Sequence, residues 1–290
     1  VVLDSVLNPV FIFGWLGAPV LGIRGAAWAT LVANVLSFVA LLVWLRWRNH
    51  PLWIHTQEWA LFKPDWLIVR ALVIKGLPMG AQMVMLSIAM IVMMTMVNSH
   101  GIQTASAYSA GMQLWTYIQM PAMAIGAACS SMAAQNVGAK QWERVAGTAN
   151  AGMVCNLLLT GGLIVLVLLL DTHVLGWFLP SDSAALPMAS HLNQIVVWSF
   201  LFFGVTFVIS GVVRATGAVM APLVILVIAT WLVRIPVAEW LQTRIGVDGI
   251  WWSFPISAVC AMVMSLAYYR FGNWRAAKMV DSTVNTAKPT

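Results

Sequence analysis

An acid and an amide lie four residues apart in the apolar stretch that opens the sequence, VVLDSVLNPVFIFG. At this spacing Asp4 and Asn8 share one face of a helix. A carboxylate inside an apolar membrane span is costly, and such a group marks a functional site by default. A carboxyl group held away from water is suited to carrying a proton, and the Asn8 carbonyl is a ligand for a sodium ion. The pair predicts a cation-coupling site; the alternative is a solvated acid at a helix end.

Uncharged polar residues in the other apolar segments are the remaining site candidates. Thr30, Asn34 and Ser37 recur at helical spacing and predict a polar stripe that faces Asp4. Beside a run of seven methionines between residues 79 and 96, polar and aromatic side chains predict a pocket for flat molecules. These substrate-binding candidates are Gln82, Gln113, Tyr117, Gln194 and Trp198. Such side chains also bond or pack between helices, and that alternative stays open.

The composition is that of a membrane protein. Of the 290 residues, 61% are hydrophobic and 8% are charged, and the mean hydropathy is +0.87. Soluble domains carry about a quarter charged residues, so that class is excluded. The apolar stretches predict a partial span at 1–16 and then seven full spans. The seven lie at 23–45, 68–97, 104–134, 143–170, 187–213, 219–241 and 249–270. The predicted fold class is an all-α polytopic membrane protein.

Positive charge is concentrated in alternate connections between the spans. If the C-terminus is cytoplasmic, twelve of the fifteen Lys and Arg residues fall on the cytoplasmic side. This bias predicts a cytoplasmic C-terminus. The net charge of +6 is then a signal of topology in a lipid bilayer, and we expect no nucleic-acid partner.

Two distant segments resemble each other. NPVFIFGWLGAPVLGIRGAAWAT and IPVAEWLQTRIGVDGIWWSFPIS align without a gap, with Pro9 on Pro236 and Gly22 on Gly249. The two copies are 227 residues apart, and one repeat unit of this length contains six spans. Because six is an even number, both copies cross the membrane in the same direction. A parallel repeat predicts twelve helices in two halves, with about 180 residues preceding the first residue of this sequence.

Three stretches resemble the MATE (multidrug and toxic compound extrusion) family of transporters. They are QMPAMAIGAACSSMAAQNVGAKQWERV at 119–145, GLPMGAQ at 76–82, and LNPVFIFG with LGIRGAAWAT near the start. The resemblance covers about residues 1–275. It implies a two-lobed, twelve-helix antiporter of which about seven and a half helices are present, an N-terminally truncated fragment. It also implies export of cationic amphiphiles in exchange for H⁺ or Na⁺, with no other cofactor, by a monomer in the bacterial inner membrane.

The resemblance also bears on the site residues. In several relatives the fifth helix carries an Asn followed four residues later by an Asp-Pro pair, whereas here Asp4 precedes Asn8-Pro9. The two residue types are interchanged, and the carboxylate moves by one turn. A sixth-helix Thr of the family matches Thr30. The acids that some relatives carry in the second lobe are absent from 76–97 and 190–213, which argues against a cation site there.

The predicted organisation follows from these spans. Residues 1–45 form the end of the N-lobe, with the fifth and sixth helices, and 46–67 form a cytoplasmic interfacial linker. Residues 68–275 form the C-lobe with six spans, and 276–290 form a cytoplasmic tail.

Other functional classes fit the sequence less well. A lipid-linked oligosaccharide flippase of the same superfamily is expected to line its cavity with several Arg and Lys, and the C-lobe spans offer almost none. An intramembrane enzyme needs clustered nucleophiles or metal ligands. The five histidines and three cysteines lack metal-ligand spacing, so no metal site is predicted. A structural membrane protein without transport activity does not explain Asp4.

Overall fold

The computed structural model describes residues 2–17, 19–48, 50, 65–180 and 183–277, and all regular secondary structure within these ranges is helical. The prediction of an all-α fold is therefore confirmed. Most of the predicted interfacial linker at 46–67 and of the tail at 276–290 lies outside the described residues. The chain divides into two compact units, Val1–Asp65 and Trp66–Thr290.

The first unit is a pair of helices. Helix α1 spans Val2–Phe13 with Pro9 inside it, and α2 spans Ile23–Trp47. The backbone N–H of Leu21 donates to the carbonyl of Phe11 at 3.1 Å, and Gly25 lies directly against the same carbonyl. Only a residue without a Cβ fits at this contact, which lets the start of α2 pack closely on the end of α1.

The second unit contains the other nine α-helices of the described residues. These helices are α3 (Trp66–Asn98), α4 (Ile102–Gly138), α5 (Trp142–Leu169), α6 (Asp171–Leu175), α7 (Ala185–Val196), α8 (Ser199–Ala215), α9 (Met220–Val227), α10 (Ile235–Ile245) and α11 (Asp248–Phe271). A π-helical segment, Ile228–Arg234, joins α9 to α10 as one continuous helix.

The helices agree with the predicted spans. Within the described ranges, five helices are long and apolar enough to cross a membrane, or six if the α7–α8 pair, bent by 44°, is one span. Helix α4 is not among the five, because small and polar residues run through it. The two copies of the predicted repeat fall on the helix pairs α1–α2 and α10–α11, whose connections are 14–22 and 246–247. The gapless alignment of the two copies stays a prediction.

Close backbone contact between α4 and α8 holds the second unit together. An ideal Cβ on Gly211 would stand 2.6 Å from the Gly126 carbonyl oxygen, and one on Gly126 would stand 3.2 Å from that of Phe207. The small residues around Gly126 thus let the neighbouring helix approach closely. This contact fixes the spacing of two helices that line the cavity described below.

We expect Gly211→Ala to destabilise the protein by about 1–3 kcal/mol, because the new methyl group must push α8 away from α4. The matched control is Gly162→Ala on α5, where a Cβ meets nothing within 4 Å. That change should be neutral or stabilising by up to about 1 kcal/mol. Thermal unfolding in detergent measures both, and equal stability of the two variants would contradict the tight α4–α8 contact.

Candidate functional site

In the first unit, one oxygen of the Asp4 carboxylate has no hydrogen-bond partner among the described residues. Asn8 Nδ2 donates to the Asp4 backbone carbonyl at 2.9 Å, so this amide does not neutralise the carboxylate. Asp4 Oδ1 is buried and has no hydrogen-bond partner among the described residues. A buried acceptor without a donor costs free energy, and a proton or a cation at this oxygen would remove that cost. Pro9 follows within the same helix and removes one backbone donor there.

The predicted stripe on α2 does not pack against α1 in this unit. The α2 residues that are buried here are Gly25, Ala29 and Ala33, whereas Thr30, like Asn34 and Ser37, is exposed. Starting from the contact of Gly25 with Phe11, antiparallel helices place Thr30 at a level between Asp4 and Asn8. Thr30 therefore shares their depth but not their interface, and its role in cation coupling stays a prediction.

In the second unit, five helical elements surround a cavity of about 170 Å³. They are α3, α4, α8, α11 and the continuous helix from α9 to α10. Six aromatic side chains form much of its wall: Tyr108, Trp115, Phe200, Phe203, Phe207 and Phe254. On α8 the lining residues recur every three or four positions from Ser199 to Arg214, so one whole face of the helix borders the cavity.

Only one of the five predicted substrate-binding residues lines this cavity, and that residue is Gln82. Gln113 is exposed and lies in a shallow groove beside Phe178 instead. Tyr117 and Trp198 are 50% and 46% exposed, and Gln194 is exposed as well. These four residues do not line this cavity, because each lies on a side of its helix that points away from it, and their part in substrate binding stays a prediction. Met90 and Met93 of the methionine run do line it.

Arg234 is the feature of the cavity that the sequence reasoning did not place. Its Nε donates to Ser257 Oγ at 2.8 Å, and its guanidinium carbon stands 4.7 Å from the centroid of the Phe254 ring. Among the described residues no carboxylate forms an ion pair with Arg234. Glu239, five residues further on, is exposed and does not line the cavity. A single Arg in an apolar span is itself a signal of function.

The π-helical segment turns Arg234 toward the cavity. Pro222, Leu226 and Thr230 line it at helical spacing on the same continuous helix. In a regular α-helix Arg234 would be rotated about 120° from Pro222, since each residue turns the chain by about 100°. A π-turn takes up about one extra residue and removes most of that rotation. The seven-residue segment that ends at Arg234 therefore brings the guanidinium onto the lining face.

A buried carboxylate supports the aromatic wall from behind. Asp171 is 6% exposed and accepts hydrogen bonds from Asn193 Nδ2 at 2.7 Å and from the Ser190 hydroxyl. Asn193 in turn accepts a hydrogen bond from Trp115 Nε1 at 3.0 Å, and Trp115 lines the cavity. Asp171 lies outside the spans 76–97 and 190–213, which contain no acid, and the fold brings it to Asn193.

Comparison with known proteins identifies the relatives of this chain. A family model described as MatE matches residues 78–240. The probable multidrug resistance protein YoeA of Bacillus subtilis (strain 168) is 34% identical over 272 residues, 93% of this chain and 58% of that protein. The probable multidrug resistance protein YpnP of the same organism is 31% identical over 281 residues, covering 96% and 60%. The chain thus spans about three fifths of the length of these curated relatives.

The fold resembles that of a solved structure. A solved structure described as the outward-facing conformation of a multidrug resistance MATE family transporter of the MOP superfamily superposes with a TM-score of 0.82. The two sequences are 19% identical, and the match covers 92% of this chain and 59% of that one. At this identity the likeness shows a shared fold.

Proposed function

The chain belongs to the MatE family, and from that premise we propose that the protein exports small amphiphilic molecules in exchange for H⁺ or Na⁺. In this proposal, export proceeds by alternating access, the mechanism of secondary transporters built from internal repeats. The proposal places the protein in the bacterial inner membrane as a multi-pass protein with its C-terminus in the cytoplasm.

The observation that carries the proposal is the unpartnered carboxylate oxygen of Asp4. Binding of a proton or Na⁺ at this oxygen neutralises a charge that the helix pair otherwise leaves without a partner. In the proposed cycle, the cation binds at Asp4 from outside and lowers the affinity for the exported molecule, which is then released. Asn8 supports the geometry by holding the Asp4 carbonyl at 2.9 Å.

The substrate class of the proposal is broader than the one that the family resemblance predicted. Cationic amphiphiles stay a prediction for the whole protein. Two lining residues of the second-unit cavity, Arg214 and Arg234, are positively charged, and none of the described lining residues is an acid. This polarity does not favour a cationic group at that cavity.

Transport by the protein expressed from its complete gene and reconstituted in liposomes tests the proposal. We expect an imposed pH or sodium gradient to drive uptake of a dye such as ethidium, or of an anionic dye of similar size, into the lumen. The ion that drives uptake identifies the coupling ion. Dye movement that is indifferent to both gradients would contradict antiport, and empty liposomes give the background.

A further inference from the structure

Arg234 lies in an apolar span and has free hydrogen-bond donors. A guanidinium carries five N–H groups, and within the described residues only Nε is used, by Ser257 Oγ. The four N–H groups of Nη1 and Nη2 make no hydrogen bond within the described residues, and Arg234 lines the cavity. An unpaired charge is costly in this setting, so the arrangement is suited to a ligand that supplies the missing acceptors.

The surroundings of Arg234 hold it in one orientation. Phe254 covers one face of the guanidinium at 4.7 Å from its ring centroid, and Ser257 fixes the Nε edge. The Ser257 hydroxyl donates to the Phe254 carbonyl at 2.9 Å, so its oxygen is free to accept from Nε. The part of the guanidinium left free is the planar edge formed by Nη1 and Nη2. A carboxylate or phosphate can accept two parallel hydrogen bonds from this edge.

The same cavity offers a surface for an aromatic ring. Trp115 and Phe254 have ring centroids 5.8 Å apart, and Tyr108 lies 5.9 Å from Trp115. Tyr108 and Trp115 meet edge to face, and Trp115 and Phe254 are tilted at 53°, so the three rings form one packed aromatic wall. A second guanidinium, Arg214, borders the cavity at the far end of α8, and no acid is among the described lining residues. The two charged side chains that border the cavity are therefore both positive, which favours an anionic ligand.

We propose that this cavity is a binding site for small aromatic acids, with Arg234 holding the carboxylate or phosphate oxyanion and the aromatic wall holding the ring. The inference rests on the proposed export function, because it takes the bound aromatic acid to be the exported substrate. The volume of about 170 Å³ favours a small acid over a lipid headgroup that carries two acyl chains. The oxyanion chemistry is common to both sources, and the experiment separates them.

Two naphthalene probes of opposite charge test the proposal by equilibrium dialysis with the full-length protein in detergent. The probes are 2-naphthylacetate and trimethyl(2-naphthylmethyl)ammonium. We expect the wild-type protein to bind the carboxylate at least about tenfold more tightly than the ammonium. Equal binding of the two probes, or preference for the ammonium, would overturn the proposal without any variant.

Substitution of Arg234 tests whether this side chain causes the preference for the carboxylate probe. Arg234→Gln should weaken binding of naphthylacetate by about 10- to 100-fold, the loss expected for a hydrogen bond to a charged group. Arg234→Lys keeps the charge without the planar fork and should give an intermediate loss even if Arg234→Gln does not fold. Arg244→Gln, an exposed arginine on the same continuous helix, is the matched control and should bind like the wild type.

Competition identifies the source of the oxyanion. A short-chain phosphatidic acid that displaces naphthylacetate at a lower concentration than unlabelled naphthylacetate does would identify a lipid headgroup and overturn the assignment to small acids. Weaker displacement supports it. Because dialysis needs no ion gradient, loss of coupled transport would refute antiport and leave this binding result unaffected. Unchanged affinity in Arg234→Gln would refute the oxyanion site and leave antiport standing.

Discussion

Asp4→Asn is expected to abolish ion-driven transport, lowering the gradient-dependent rate by more than about tenfold, which corresponds to ~1.4 kcal/mol. The substitution preserves the shape of the side chain but removes the group that binds a proton and weakens a sodium site. It leaves the hydrogen bond from Asn8 to the Asp4 backbone carbonyl intact. Folding should therefore be preserved, and elution of a monodisperse protein on size exclusion checks this. The rate is measured in liposomes under an imposed pH or sodium gradient.

Two further variants make this test specific. Glu239→Gln removes an exposed acid from a different helix and should leave the driven rate unchanged. The double variant Asp4→Asn/Asn8→Asp restores the order of amide and acid that the family resemblance implies. Because the two positions share one helix face, we expect it to regain part of the coupling. Full ion-driven transport in Asp4→Asn would show that the coupling cation binds elsewhere.

Apolar length made the helices of this protein predictable. A run such as 249–270 has no stable alternative to a membrane-spanning helix, because every backbone polar group must be paired within the segment. The structure places α11 at Asp248–Phe271, close to that prediction. The close approach at Gly126 was predictable for a similar reason, since a cluster of small residues in a span has few other uses.

The direction in which each side chain points was not predictable from one helix at a time. Gln113 and Tyr117 do share a face of α4, but that face is exposed, and the cavity lies on the side of Tyr108 and Trp115. Helical periodicity identifies faces without saying which neighbour covers them. Arg234 shows a second limit of prediction from helical periodicity, because a π-helical segment shifts every following residue around the helix axis.

Contacts between segments far apart in the sequence could not be predicted either. Asp171 lies in the short helix α6, 22 residues from Asn193, and the two side chains meet only because α7 folds back beside α6. An acid close to the end of a span looks solvated in the sequence. In the structure its two oxygens accept from Asn193 and Ser190, and it becomes part of the packing behind the cavity.

The effect of removing Asn193 is expected to be large. Asn193 is fully buried and connects Asp171 to Trp115. Asn193→Leu keeps a similar volume but leaves a buried carboxylate oxygen without its amide donor and the indole N–H without an acceptor. Loss of one partner from a buried charged network costs about 3–5 kcal/mol. Unfolding in detergent, followed by tryptophan fluorescence, measures this loss, and binding of naphthylacetate should weaken because Trp115 is no longer held in the wall.

The chain supplies a matched control at the next position. Gln194 is exposed and makes a single long hydrogen bond, 3.5 Å to Ser190 Oγ, so Gln194→Leu should change stability by less than about 0.5 kcal/mol.

A double-mutant cycle then separates the charge from the packing. Asp171→Leu/Asn193→Leu removes the unpaired carboxylate together with its donor and should be less destabilised than the sum of the two single variants. Additive losses would show that Asp171 and Asn193 act independently, and the carboxylate would then have no part in holding the wall of the cavity.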